Sequence, residues 1–425
     1  MRALVLVLAC SATLVACNRN EAPVATPAAV VDPAQPYVRS DWPLPVTACA
    51  MAPDLRLAPD GRLLLSWISQ QPGRRDAVQF STYLADRWQN LPKTVAVGTA
   101  LAVNAADVPH IAATADGALW MQWLQKPAAA GHASDVWLTT SRDDGVHWDP
   151  PVLVHDDGTA TEHGFVSLWP ADRNTLGIAW LDGRHTATAA GAAHQHEGQD
   201  DGRTTLRAAQ FDYRLQKHRE VELDAMTCDC CHTDVALTDR GPLLVYRGRD
   251  AGEIRDILVA RFEDGAWTRA HKVHDDRWKM PACPVNGPAV AARGNDVVVA
   301  WYTEAGGAPR VRIALSRDAG DSFAAPVDVA GGTTQLGRVD VAFDGRQAVV
   351  AWLEESGAGQ RLQFARYSPD LAKRWQQVEV AKLQGRGLGT GFPKLALRDG
   401  VAYLAWTELV DGRSQLHGAR FAPAR

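Results

Sequence analysis

Leu63-Leu-Leu-Ser-Trp67 sets a pattern that returns six times: Leu119-Trp-Met-Gln-Trp123, Leu176-Gly-Ile-Ala-Trp180, Leu243-Leu-Val-Tyr246, Val297-Val-Val-Ala-Trp301, Val349-Val-Ala-Trp352 and Ala402-Tyr-Leu-Ala-Trp406. The closing aromatics stand 51 to 66 residues apart. Most copies follow a hairpin signal such as Pro59-Asp60-Gly61, Asp116-Gly117 or Asp344-Gly345. A polar loop comes next, then a second β-rich run such as Val136-Trp-Leu-Thr-Thr140 or Val311-Arg-Ile-Ala-Leu315. Each unit therefore holds about four strands and cannot bury both of its faces alone. Such units bury their faces against one another around a channel, which predicts an all-β propeller of seven four-stranded blades. The last unit reaches Arg425 without room for a fourth strand. Asp41-Trp-Pro-Leu-Pro-Val-Thr47 resembles the fourth strands Arg87-Trp-Gln-Asn90 and His147-Trp-Asp-Pro150, so an N-terminal strand is expected to close the ring.

Outward from the repeat, the chain's first sixteen residues carry Arg2, an apolar run from Ala3 to Ala9, and Leu14-Val15-Ala16 before Cys17. This resembles the lipobox of bacterial lipoproteins. The resemblance implies a signal peptide over 1–16, a lipidated Cys17, and anchorage to the membrane through the lipid. The apolar run is too short to span a bilayer, and two acyl chains give stable attachment. Asn18 after the cysteine implies the periplasmic side of the outer membrane, or the cell surface. Residues 17–40 read as the lipidated cysteine with a flexible tether, and 41–425 as the propeller. The formal net charge of −5, without a long basic run, gives nucleic-acid binding no support.

Two stretches fit Ser-x-Asp-x-Gly-x-x-aromatic: Ser141, Asp143, Gly145 and Trp148, then Ser316, Asp318, Gly320 and Phe323. This is the Asp-box (BNR repeat), and the chain resembles the sialidase superfamily of propellers. In that family the box is a folding element on the face away from the active site. Family members have six blades, so six is the alternative to the seven counted here. The resemblance also implies an exo-α-sialidase type of glycoside hydrolase, with a glycan or other small anionic ligand held by arginines. Arg184, Arg249, Arg255 and Arg338 are the candidates for that clamp. Asp182, Tyr246 and Glu253 are the candidate catalytic groups. The family's Arg-Ile-Pro signature is absent; Asp54-Leu-Arg56-Leu-Ala-Pro59 stands in its place.

The remaining chemistry is sulfur. Beyond Cys10 and Cys17 there are five cysteines: Cys49, Cys228, Cys230, Cys231 and Cys283. All lie where one unit's fourth strand crosses to the next unit's first, as do His110, His163 and His232. Equivalent places in a propeller form a ring, so these residues are expected to converge on the upper mouth of the channel. Thiolate, thioether and imidazole make a soft ligand set, suited to copper(I) or zinc. Cys49, Cys228, Cys230, Cys231, Cys283, His163 and His232 are the candidate metal ligands. The competing reading is structural, with Cys228 or Cys230 bridged to Cys283 in a non-catalytic scaffold. Five thiols cannot all pair within one chain. The long loop of the third unit adds His185, His194, His196, Glu197, Asp200 and Asp201 above the same mouth.

Overall fold

The computed structural model describes residues 34–424, with 71–72, 74, 128–130, 132 and 187–201 outside the description. Cys17, the signal segment, and His194, His196, Glu197, Asp200 and Asp201 lie outside the described residues. Seven antiparallel sheets form the blades of a β-propeller, so the count is seven and not six. The first blade begins with Ala50–Leu57, Leu63–Ser69 and Asp76–Leu84, the fourth with Asp234–Thr238, Gly241–Arg247 and Ile257–Glu263. Each of these two blades has its outermost strand broken into two short pieces on the third strand.

Every repeat aromatic lies on the second strand of its blade and is buried. Its partners explain the spacing. The core is divided into slabs, one between each pair of neighbouring blades, and each aromatic sits in the slab facing the preceding blade. Trp67 packs with Tyr403 and Ala405 of the last blade, Trp123 with Phe80 of the first, and Trp352 with Val298 and Ile313 of the fifth. One aromatic per unit is thus what the interface of two twisted sheets requires.

The ring closes as expected in kind but not in position. The closing strand is Tyr37–Asp41, paired with Arg413–Pro423 from Tyr37 opposite Pro423 to Asp41 opposite Ala419. The sheet therefore starts at Tyr37, upstream of the expected Asp41 to Thr47. Pro43 and Pro45 explain the shift, since neither can donate to a ladder. Trp42 instead plugs the junction of first and last blades. It stacks on Trp88 at 5.1 Å and meets Tyr83 and Tyr403 edge-on at 5.3 and 5.0 Å.

Both Ser-x-Asp-x-Gly turns are built alike. The Gly145 and Gly320 amides donate to the Ser141 and Ser316 hydroxyls, each at 2.9 Å, while Asp143 and Asp318 accept the His147 and Ser322 amides at 2.9 Å. Gly145 and Gly320 have positive φ, 76° and 89°. A Cβ on Gly145 would lie 2.3 Å from the Phe80 ring, and one on Gly320 2.7 Å from Leu243, so each turn presses on the preceding blade.

The seven first strands surround the channel in register. Asp54, His110, Ser167, Asp234, Ala289, Asp340 and Lys394 all pair with the residue preceding the repeat aromatic, and so form one layer, polar in every blade but the fifth. Two residues further on, the layer is Arg56, Ala112, Trp169, Ala236, Ala291, Ala342 and Ala396. Above the polar layer, bulges with positive φ at Phe165 and Arg338 free backbone amides from the ladder. A side chain on a neighbouring crossing takes each one. Asp107 accepts the Phe165 amide at 2.7 Å, and Asn286 accepts that of Arg338 at 2.8 Å.

Asp107 is buried with one carboxylate oxygen unpartnered, and burial pushes its carboxyl up to about 7. Between its unfolded value and about 7 the folded chain keeps this proton while the unfolded chain has lost it. Stability should therefore fall as pH rises through that window, by at most about 1.4 kcal/mol per pH unit, and level off above it. Asp107→Asn keeps an acceptor for Phe165 and should remove this component of the slope. Urea unfolding of both proteins at pH 5 and pH 8 checks it; an identical pH dependence in the two would contradict the assignment.

Candidate functional site

The sulfur cluster begins where the second strand of the fourth blade ends, at Arg247. Its carbonyl accepts the Cys228 amide at 3.1 Å, fixing the turn Cys228-Asp-Cys-Cys231 over the blade. The Arg247 guanidinium is buried and donates to three carbonyls, those of Asn286, Arg255 and Tyr302, at 2.8, 2.6 and 2.7 Å. Its face lies 4.8 Å from the centre of the Trp278 ring. No carboxylate neutralises it among the described residues, so its charge acts on the sulfurs.

Cys230 is bonded to Cys283 across the crossing into the fifth blade. Cys228 and Cys231 are free and buried, with sulfurs 3.1 Å apart and sharing a hydrogen bond. Each sulfur also has a nitrogen donor: Arg255 Nη1 reaches Cys228 Sγ at 3.2 Å, and the Asn286 amide reaches Cys231 Sγ at 3.3 Å. The contact with Cys231, helped by Arg247 and Arg255, brings the Cys228 thiol down to about 6. Burial, and the charge this leaves on Cys228, push Cys231 up. The pair is built to hold one negative charge readily.

The other predicted ligands stand elsewhere. Cys49 is part-exposed and unpaired, and among the described residues it joins no ligand cluster. His232 turns into the channel, where its ring meets Phe392 at 4.7 Å and lines a small polar chamber with Asp54, Asp234, Asp340 and Lys394. His163 lies between the second and third blades, stacked on His155 at 3.6 Å. Asp157 reaches His155 Nδ1 at 3.1 Å and His163 Nε2 at 3.0 Å. Burial and the neighbouring His163 hold His155 down to about 4, so this ring is neutral. His163 stands apart from the sulfurs, in an ion-pair network with Asp157 and Asp182, and its ring nitrogens lie within 4.8 Å of oxygens or nitrogens of Asp135 and His155, or of Asp157 and Asp182.

The arginines fall into separate networks. Arg184 is held by Asp182 at 2.7 Å, with Asp157 and Glu220 beyond. Arg249 and Arg255 share Glu253, at 2.6 and 2.9 Å. Arg338 is buried, donates to Thr390 Oγ1 at 2.8 Å, and is brought down to about 10 by burial. The catalytic candidates are equally committed. Asp182 is buried and, against its burial, kept ionised by His163 and Arg184. Glu253 bridges two arginines. Tyr246 donates to Asp224 at 2.8 Å, and burial pushes its phenol far up, which suits packing and not nucleophilic attack.

Sequence reasoning missed Arg247, and it missed Arg56. Arg56 crosses the channel from the first blade to the fourth, joining Asp54 at 3.2 Å to Asp234 at 3.0 Å. Below it a well of about 470 Å³ opens, walled by the apolar ends of the first strands. That end of the strands leads into the hairpins on the Ser-x-Asp-x-Gly side, so the well lies opposite the sulfur cluster.

Fold and site together define a seven-bladed β-propeller with a free cysteine pair on its upper face. No protein-family profile matches the sequence, and no characterised protein matches it significantly. Among solved structures it is similar to the NanB sialidase of Streptococcus pneumoniae, at 8% identity and TM-score 0.47 over 85% of this chain and 83% of that one. A protein of unknown function from Dyadobacter fermentans gives 12% and 0.49 over 89% and 95%. An α-L-arabinanase of Penicillium chrysogenum, solved with arabinobiose, gives 13% and 0.43 over 91% and 97%. Likeness at this level assigns no substrate or activity.

Arg255→Ala withdraws the nitrogen that touches Cys228. The thiolate absorbance near 240 nm, followed in a pH titration, should then rise about one unit higher than in the wild type, whose midpoint is expected near 6. An unshifted midpoint would remove Arg255 from the site.

Proposed function

We propose that this protein is a lipid-anchored, extracytoplasmic propeller that binds a soft metal ion, copper(I), between Cys228 and Cys231. The observation that carries the reading is the pair itself: two buried sulfurs 3.1 Å apart, each with its own nitrogen donor. A copper(I) ion between two thiolates carries a net negative charge, and the contacts from Arg255 and Asn286 offset that charge. Zinc asks for four ligands. With Cys230 and Cys283 committed to each other, a metal content of two thiolates favours copper(I). The bound ion would supply a Lewis-acidic, thiophilic centre; the chain supplies the ligands, the turn that holds them, and the arginine charge that favours the thiolate at Cys228.

Anaerobic titration of the intact protein with copper(I), against a chromophoric competitor, tests this directly. One equivalent should bind. Cys228→Ser and Cys231→Ser should each weaken binding at least 100-fold, and Cys49→Ser should leave it unchanged. No copper taken up by the wild type would sink the reading.

Anchorage rests on Leu14-Val-Ala-Cys17. Cys17→Ala should move the protein from the membrane to the soluble periplasmic fraction. A variant still sedimenting with membranes would refute a lipid at this position.

A further inference from the structure

The metal reading uses two of the four sulfurs and leaves unexplained why a disulfide stands beside them. Cys228 Sγ touches both sides of this arrangement: it is 3.1 Å from Cys231 Sγ and 3.9 Å from Cys230 Sγ, which is itself bonded to Cys283. Exposure rises along the same line. Cys228 and Cys231 are each 1% exposed, Cys230 is part-buried, and Cys283 is exposed. A disulfide whose outer sulfur faces solvent and whose inner sulfur faces a buried thiol is placed to pass its bond inward. Disulfides exchange by attack of a thiolate on a disulfide sulfur, and the rate depends on access and on the thiolate character of the attacker. Arg255 Nη1, 3.2 Å from Cys228 Sγ, favours that character at the one sulfur in contact with both partners. Cys49, which joins no cluster among the described residues, stays outside.

We propose that Cys228, Cys230, Cys231 and Cys283 form a thiol–disulfide relay that interchanges a surface disulfide, Cys230–Cys283, with a buried one, Cys228–Cys231. In the first step Cys228 Sγ attacks Cys230 Sγ. The Cys228–Cys230 bond forms, the Cys230–Cys283 bond breaks, and Cys283 leaves as a thiolate. That thiolate takes from water the equivalent of the proton Cys228 gave up. In the second step Cys231 loses its proton, attacks Cys228 Sγ and releases Cys230, which is protonated in turn. One disulfide replaces another and no electrons enter or leave. Low-molecular-weight thiols and disulfides outside act only on the exposed pair, and the interchange carries their effect to the buried one. The exchange does not need the metal. If the metal reading holds, the buried disulfide withdraws both of its ligands, and the relay becomes its regulation.

Trypsin separates the states cleanly, because Cys228, Cys230 and Cys231 share the peptide 220–240 while Cys283 lies on 280–293. Intact wild-type protein, kept metal-free with a copper(I) chelator, is equilibrated with graded mixtures of reduced and oxidised glutathione. It is then acid-quenched, alkylated, digested and analysed by mass spectrometry. The starting state gives the two peptides joined. The interchanged state gives 280–293 alkylated at Cys283 and 220–240 with an internal disulfide. Peptide 220–240 should carry that internal disulfide over part of the series, before full reduction. Cys231→Ser should stop at a Cys228–Cys230 linkage, and Cys228→Ser should give no internal disulfide. Wild type that shows only joined peptides and then fully reduced ones, at every ratio, would overturn the relay whatever the variants do. Since copper is absent throughout, a failure here leaves the metal reading standing, and a failure to bind copper leaves the relay standing.

Discussion

The pairing of Tyr37–Asp41 with Arg413–Pro423 is the contact on which the rest of the molecule depends. An open array of seven blades would leave two bare sheet faces and an unpaired edge, both liabilities in water. Joining residues so distant in sequence turns the array into a ring, and a ring forces its seven first strands to equal heights around one axis. Side chains brace the seam. The Tyr37 hydroxyl donates to the Gly400 carbonyl at 2.6 Å, and the Tyr37 ring lies under the Arg366 guanidinium, tying the closing strand to the sixth and seventh blades together. Trp42 fills the slab between the last blade and the first, as the repeat aromatics do in theirs.

Equal heights have chemical consequences. A bulge in one first strand releases an amide at the level where the neighbouring crossing passes, and a polar side chain there can take it. Asp107 and Asn286 do so. Asn286 does more than one task, since its own amide meets Cys231 Sγ and its carbonyl accepts Arg247. The sulfur cluster is therefore seated on the same hydrogen-bonding scheme that locks one blade to the next. This is why a crossing with three cysteines in four positions can be ordered without regular secondary structure of its own.

Much of this was legible in the residues. The aromatic repeat announced the number of blades because each aromatic answers to one slab, and a packing demand met once per unit leaves a periodic mark. A second periodic mark went unread: Asp54-Leu-Arg-Leu57, His110-Ile-Ala-Ala113, Ser167-Leu-Trp-Pro170, Asp234-Val-Ala-Leu237, Ala289-Val-Ala-Ala292, Asp340-Val-Ala-Phe343 and Lys394-Leu-Ala-Leu397. Its first position, polar in six of the seven copies, and its mostly small third position describe the channel, and they single out Arg56 as the one cation among alanines and a tryptophan. The closing strand was misplaced because the tryptophan signal was read as strand pairing, although Pro43 and Pro45 argued against it. His163 was assigned to the sulfurs by its place at a crossing. Its neighbour, His155, lies eight residues earlier at the start of the same crossing, and nothing in that spacing says that the crossing will fold back and stack the two rings.

The strand direction common to all seven blades gives the molecule two unlike ends. First strands begin at the crossings and end at tight hairpins, so the upper end collects long, irregular segments and the lower end collects short turns. Long segments can bring together residues from different blades, and there Cys228, Cys230, Cys231 and Cys283 meet Arg247, Arg255 and Asn286. Short turns cannot; they leave the channel lined by whatever the strands present, which around the well is mostly alanine and leucine, with Trp169 and Phe343 among them. Arg56 separates the two ends. Its guanidinium, stretched between Asp54 and Asp234, balances charge inside a narrow bore where an unpaired arginine would be costly to bury. Because both partners come from the polar layer, the bridge spans the bore from the first blade to the fourth, with the sulfur end above it and the well below. The residues that hold the sulfurs come from the crossings and from the upper end of the fourth blade, and none of them lines the well.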